Sequence, residues 1–174
     1  TLRITVANTN DTPTDISLSK ESIDENSDID TTIGTFSTID QDTGDSFTYE
    51  LVSGDGDTNN SEFAIIGSNL LSKKVFNYEE KNSYSIRVQT TDNNGATFQK
   101  QFTISITNQN DTPINVELSN NSINENSGIG TTIGTFSTTD QDTGDSFTYS
   151  LVSGDGDTDN SDFSIDGSNL LSNK

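Results

Sequence analysis

Two hexapeptides carry the residue types that do chemistry. Asp40, Asp42 and Asp45 fall within "DQDTGD", and Asp140, Asp142 and Asp145 repeat that spacing one hundred residues later. Alternate carboxylates in a turn can converge on one point. Oxygen donors at that spacing suit a hard cation, and Ca²⁺, which accepts six to eight oxygens in loose geometry, fits better than Mg²⁺. A solvated hairpin turn would use the same residues, because Asp, Thr and Gly are favoured in turns for backbone reasons. Both chemistries are open at this point.

The elements that position these acids follow from the rest of the chain. It has 174 residues with 28 acidic and 8 basic side chains, a formal charge of −20. Such a charge repels nucleic acid and anionic membrane surfaces, so no nucleic-acid partner is expected. Only 27% of residues are hydrophobic, which leaves each domain a thin core under electrostatic strain that a bound cation would relieve. Cysteine and histidine are absent, which removes disulfides, thiolate metal sites and the commonest general base. No apolar run reaches the ~20 residues of a membrane span, so no membrane insertion of this segment is expected. A chain opening on threonine is expected to be cut from something longer.

Residues 11–74 align with 111–174 at 48 of 64 positions, a tandem duplication. Residues 1–10, "TLRITVANTN", echo 101–110, "QFTISITNQN", at Ile4, Asn8 and Asn10. The expected organisation is the final strand and linker of a preceding repeat (1–10), one complete repeat (11–110) and a truncated repeat (111–174). Within the complete repeat the hydrophobic period is two: Phe47, Tyr49 and Leu51; Tyr84, Ile86 and Val88; Phe102, Ile104 and Ile106. With shorter signals at 16–18, 31–37, 62–65 and 69–72 this makes seven strands in about 100 residues, the pattern of an all-β, Greek-key, Ig-like β-sandwich. The second repeat stops before counterparts of the strands at 83–90 and 97–107. It is therefore expected to be unable to close and to be poorly stable or rearranged, and the strand at 2–6 to lack its partners.

On this scaffold several further residues gain meaning together: Glu25 in "DENS", Asn77 and Glu79 in "NYEE", Asp92 in "TTDNNG", and the linker "NQNDTP" at 108–113. These motifs, with "DQD", resemble a cadherin-type repeat, specifically the cadherin-like tandem repeats of large bacterial surface and secreted proteins. The resemblance spans the whole chain. It implies Ca²⁺ at the junction of successive repeats, held by Glu25, Asn77, Glu79, Asn108, Asn110, Asp111, Asp140 and Asp142, with Asp145 as an accessory ligand. For the upstream junction it implies Asn8, Asn10, Asp11, Asp40, Asp42 and Asp92. Asn77 and Asn108 stand where the family has aspartates, and fewer charges mean weaker binding. One or two ions are expected at the junction after the complete repeat, centred on Glu25, Glu79, Asp111 and Asp142.

A second acidic run, "SGDGDTDNSDFSID" at 153–166, places Asp155, Asp157, Asp159 and Asp166 at EF-hand loop positions. The first repeat lacks both the turn glycine and the final acid, having Asn60 and Ile66 there, so the segment reads as an exposed loop, with a weak accessory ion as the alternative. Asn-Asp-Thr and Asn-Asn-Ser triplets match the N-glycosylation pattern, but in an asparagine-rich chain such triplets arise by chance. Repeated acids on a thin sandwich do not make one shaped pocket, so no enzyme is expected. The resemblance implies calcium-rigidified spacer or cell-adhesion modules of a large extracellular or cell-surface protein, an adhesin or stalk. The partners are then neighbouring repeats of the same chain. The alternative is a β-sandwich that binds a carbohydrate or protein ligand. It would need aromatic platforms, yet tryptophan is absent and most of the 13 Phe and Tyr sit in core-phase positions.

Overall fold

The computed structural model describes residues 2–7 and 9–174. They fall into two compact units, Thr1–Gln109 and Asn110–Lys174. The longer strands arise where a period-two pattern meets an Asn, Asp, Gly or Ser boundary.

The first unit is a two-layer sandwich of eight strands: β1 (Asp15–Leu18), β2 (Ser22–Asp24), β3 (Thr32–Ile39), β4 (Thr48–Leu51), β5 (Phe63–Ile66), β6 (Asn69–Ser72), β7 (Ser83–Thr91) and β8 (Thr97–Thr107). One sheet runs β1-β3-β6-β5 and the other β2-β8-β7-β4. The seven expected strands are all present. The eighth, β2, is the continuation of β1 after the chain crosses to the opposite sheet, where Ile23 pairs in parallel with Ile106. Three residues give no readable period, which is why the pattern alone does not mark it.

Inward positions of both sheets form one core. Tyr84, Ile86 and Val88 of β7 face Ile16, Phe36 and Leu70 of the other sheet, with Phe102, Ile104 and Ile106 of β8 alongside. Phe76 closes one end, 5.4 Å from Phe63 and 4.7 Å from Tyr84 between ring centroids. Each such buried side chain contributes roughly 1.5–3 kcal/mol.

Crossing between sheets requires one close backbone approach. At Gly34 the register of β3 against β6 shifts, and the carbonyl oxygen of Lys20, in the β1–β2 crossover, lies 2.6 Å from where a Cβ would stand. Ser19 ties the crossover down through its N–H to the Thr35 carbonyl and its Oγ to the Thr35 N–H, at 3.0 and 2.9 Å. The second unit repeats the arrangement with Gly134, Ser119 and the Asn120 carbonyl.

The second unit holds a single sheet, β11-β12-β10-β9, from β9 (Asn115–Leu118), β10 (Thr132–Thr139), β11 (Phe163–Asp166) and β12 (Asn169–Ser172). Residues 148–151, the counterpart of β4, form no strand, although "SFTY" is identical in the two repeats. In the first unit β4 exists by pairing with β7 from Thr48 to Leu51. Residues 111–174 contain no β7 counterpart, so 148–151, which differs from 48–51 only in Ser150 for Glu50, has no ladder to join. Val116 and Val152 accordingly stay more than half exposed. Residues 2–7 form no strand either, and Leu2, Ile4 and Val6 are exposed. No helix among the described residues is long and apolar enough to cross a membrane.

Two outcomes test this account. Gly34→Ala should destabilise the first unit by roughly 1–3 kcal/mol, because the added methyl meets backbone that cannot swing aside; thermal unfolding measures it. Extending the chain after Lys174 with a copy of residues 75–109 should convert 148–151 into a strand, read as new amide-exchange protection at Tyr149 and Leu151. Unchanged exchange there would refute the missing-partner explanation.

Candidate metal centre

The loops that carry the acids emerge from strand ends. β3 ends at Ile39, and Asp40 begins the turn to β4, with Gly44 at φ +98° supplying a left-handed step that other residues resist. Within that turn the Asp42 N–H donates to Asp40 Oδ1 at 2.9 Å. Carboxylate oxygens of Asp40, Asp42 and Asp45 lie within 4.8 Å of one another. The linker is docked on the same end: Thr14 N–H donates to the Ile39 carbonyl at 2.8 Å, and Asp11 N–H to Asp42 Oδ2 at 2.6 Å.

Asp92 enters from the turn between β7 and β8. It is 5% exposed, with Oδ1 accepting the N–H groups of Asn94 and Ala96 and Oδ2 accepting the Asn10 amide at 2.9 Å. Asn94 in turn donates to Asn10 Oδ1. Asn10, Asp42, Thr43, Asp45 and Asn94 line a cleft of about 300 Å³.

These contacts split the acids electrostatically. The Asn10 amide holds the Asp92 carboxyl below its ordinary value against the opposing effect of burial, helped by the N–H groups of Ala96, Asn94 and Gly95. Loss of hydration pushes Asp45 up, and the charges of Asp42, Asp92 and Asp40 push it further. A group raised by its neighbours marks a place where negative charge is in excess.

Asp40 Oδ2 is the informative atom. It is buried and has no hydrogen-bond partner, and Asp140 Oδ2 is in the same condition in the second unit. A buried carboxylate oxygen facing no donor is costly unless a cation meets it. The donor set is all oxygen, from carboxylates, side-chain amides and backbone, which is what Ca²⁺ prefers. The residues therefore fit that ion.

At the other end of the first unit, Glu25 follows β2 and is 2% exposed. Its Oε2 accepts the Tyr78 N–H at 2.7 Å and its Oε1 the Gln109 N–H at 2.8 Å. A Glu79 carboxylate oxygen lies within 4.8 Å of it. Asn77 Oδ1 accepts the Glu80 N–H at 2.8 Å, and Asn108 follows β8 with its carbonyl accepting the Gln109 amide. Asp92 stands before β8 and Glu25 beside its end. Eleven residues of strand separate the two acid groups by roughly 33 Å, so no single ion reaches both.

In the second unit Asp111 N–H donates to Asp142 Oδ2 at 2.5 Å, Asp142 N–H donates to Asp140 Oδ1 at 3.0 Å, and the Asn110 amide donates to the Asp111 carbonyl. Carboxylate oxygens of Asp140, Asp142 and Asp145 lie within 4.8 Å of one another. Asn8 lies outside the described residues. One site residue escapes the motif reading: Asn94 carries no sequence signal beyond its neighbourhood to Asp92. Asp45, the third acid of "DQDTGD", stands outside the implied upstream ligand set yet meets Asp40 and Asp42. The acidic run at 153–166 is a loop whose Asp157 accepts the Gly154 N–H, as Asp57 accepts that of Gly54.

Paired sheets with a first strand split between them, and acid groups at both ends, define a cadherin-like β-sandwich, and comparison with solved structures bears this fold out. Human protocadherin-24 EC1-2 matches with a TM-score of 0.72 and 19% identity, over 95% of this chain and 79% of that one. Protocadherin gamma B7 extracellular cadherin domains 1-4 match at 0.57 and 20% identity, over 94% of this chain and 42% of that one. The protocadherin gammaB4 extracellular domain matches at 0.56 and 21%, and the chain spans only 28% of its length. No protein-family model matches the chain, and no curated protein matches it in sequence. At these identities the likeness is one of fold.

The electrostatic split has a testable sign. Asp92 has a folded pKa below its unfolded value of 3.8, so its ionised form stabilises the unit above pH 3.8, and that stability is lost as pH falls through the folded value. Asp45 is the reverse: its folded pKa lies above 3.8, so stability declines as pH rises from 3.8 through the folded value. In chelator, Asp45→Asn should raise the unfolding temperature at pH 7, whereas Asp92→Asn should lower it and flatten the profile below pH 4. Unfolding followed by circular dichroism from pH 2 to 8 decides both.

Proposed function

We propose that the chain is a run of calcium-binding repeats that serve as rigid spacer and adhesion modules of a larger extracellular or cell-surface protein. The observation that carries this is the buried, partnerless oxygen of Asp40, found again at Asp140. One such atom is an oddity; its recurrence at the repeat period points to a common ligand. Asp45, pushed up by loss of hydration and then by the charges of Asp42, Asp92 and Asp40, supports the same ion.

The sets fall at the two ends of each repeat. Asn10, Asp11, Asp40, Asp42 and Asp92, with Asn8 before them, are the leading set of the complete repeat. Glu25, Asn77, Glu79 and Asn108 are its trailing set, and Asn110, Asp111, Asp140, Asp142 and Asp145 lead the next. Ca²⁺ supplies two positive charges and room for six to eight oxygens. Asp40 and Asp42 face it from the β3–β4 turn. Asp92 anchors the β7–β8 turn through its backbone bonds. The Asp11 N–H already holds the linker against Asp42, so the site is partly assembled before an ion arrives. Because leading and trailing sets of one repeat are too far apart to share an ion, each is free to act with a neighbouring repeat of the same chain. The sandwich then has no need of a catalytic pocket or an aromatic sugar platform, since its stacked rings lie in the core.

Calcium should raise the unfolding temperature, by an amount equivalent to about 2.7 kcal/mol at a hundredfold excess over the dissociation constant. Asp40→Ala should remove most of the effect in the first unit. Identical melting in EDTA and in millimolar Ca²⁺ would sink the proposal, and Mg²⁺ should substitute poorly.

A further inference from the structure

Three hydroxyls stand together where the core of the first unit meets the acid cluster. Thr38 Oγ1 is 2.9 Å from Tyr49 Oη and 2.8 Å from Thr90 Oγ1. Thr38 belongs to β3 in one sheet, and Tyr49 and Thr90 are direct partners on β4 and β7 in the other. Thr90 is fully buried, and Tyr49 stacks on Phe36 at 5.4 Å. The contact is thus a hydrogen bond across the sandwich in an otherwise apolar layer.

Its place along the strands matters. Two residues beyond Thr38 is Asp40, whose Oδ2 is buried without a partner, and two residues beyond Thr90 is Asp92. Apolar contacts tolerate sliding of several tenths of an ångström, whereas a hydroxyl pair closes only within about 2.5–3.0 Å and in a preferred direction. Fixing Thr38 to Thr90 therefore fixes the ends of β3 and β7, and with them the separation of the two carboxylates. Stability alone does not call for hydroxyls here, since a matched set of apolar groups would be nearly neutral. In the second unit Thr138 keeps the same bond to Tyr149 at 2.9 Å, and Tyr149 stacks on Phe136 at 5.1 Å, although no β4-like strand forms there. The pair is thus kept independently of sheet pairing.

We infer that Thr38, Tyr49 and Thr90 form an inter-sheet clamp that positions Asp40 and Asp92 for the cation. The inference rests on the calcium function proposed above. The three residues touch no ligand themselves; they act by setting carboxylate spacing, to which cation affinity is sensitive through site rigidity.

The 174-residue chain allows a direct test. Calcium chloride is titrated while the backbone amide shifts of Asn94 and Ala96, both bonded to Asp92, report binding at this site alone. Thr90→Val keeps the shape and leaves the Thr38–Tyr49 bond, so unfolding in EDTA should stay within a few degrees of the parent. Its dissociation constant for Ca²⁺ should rise about tenfold, and Thr90→Ser should bring it back to within about twofold. Tyr49→Phe should weaken binding in the same direction and serves if Thr90→Val fails to fold. Parent-like binding by both Thr90→Val and Tyr49→Phe would overturn the clamp. So would failure of serine to restore affinity, since methyl packing and not the hydroxyl would then be responsible. If the parent amides do not respond to Ca²⁺ at all, this site holds no cation and the clamp is overturned with it, whereas the calcium function as a whole is judged by melting in EDTA against millimolar Ca²⁺.

Discussion

The pairing of β7 with β8 is the constraint on which the first unit depends. Nine registered residue pairs, from Ser83–Ser105 to Thr91–Thr97, make it the longest ladder in the chain. It supplies the partner that turns 48–51 into a strand and the parallel seat for β2. Its inward residues fill the middle of the core. Its turn carries Asp92, and the chain leaving it places the Gln109 N–H on Glu25. Both acid groups are thereby anchored to opposite ends of one hairpin.

The two ends are built against electrostatic cost. A charge of −20 on 174 residues destabilises any compact state, and the fold concentrates part of it. Much of the local compensation comes from backbone N–H groups: Asp42 on Asp40, Asp11 on Asp42, Asn94 and Ala96 on Asp92, Tyr78 and Gln109 on Glu25. Such bonds to charged groups are among the stronger ones. They preform the loops while leaving particular oxygens, Asp40 Oδ2 above all, without a donor. A thin core can carry such a site only because its shape is held by specific contacts, the Gly34 approach at one crossover and the threonine pair between sheets.

Much of the architecture was legible in the chain. Period-two runs mark seven strands of the first unit, and the hundred-residue offset marks the duplication. The acids of the motifs lie where strands end, as expected of Asp40, Asp92 and Glu25. Other features left no local trace. β2 is three residues long and exists because β8 lies beside it. Asn94 meets Asn10 across 84 positions of sequence. The buried state of Thr90 follows the alternation of β7, but its bond to Thr38 depends on how the sheets face each other.

The sequence by itself determined which residues alternate, where turns fall and which oxygens are available, because these depend on side-chain type and on neighbours one to four positions away. Tertiary structure alone decided what those segments become. Residues 46–51, "SFTYEL", pair as a strand from Thr48 to Leu51, whereas 146–151, "SFTYSL", form none, although the two differ only at Glu50 and Ser150. The difference is a hydrogen-bond ladder that only a distant strand can offer. Asp40 divides differently: its spacing to Asp42 is written in the chain, and the burial of its second oxygen recurs at Asp140 in a unit that holds a single sheet, so it comes from the local turn and does not require the closed sandwich.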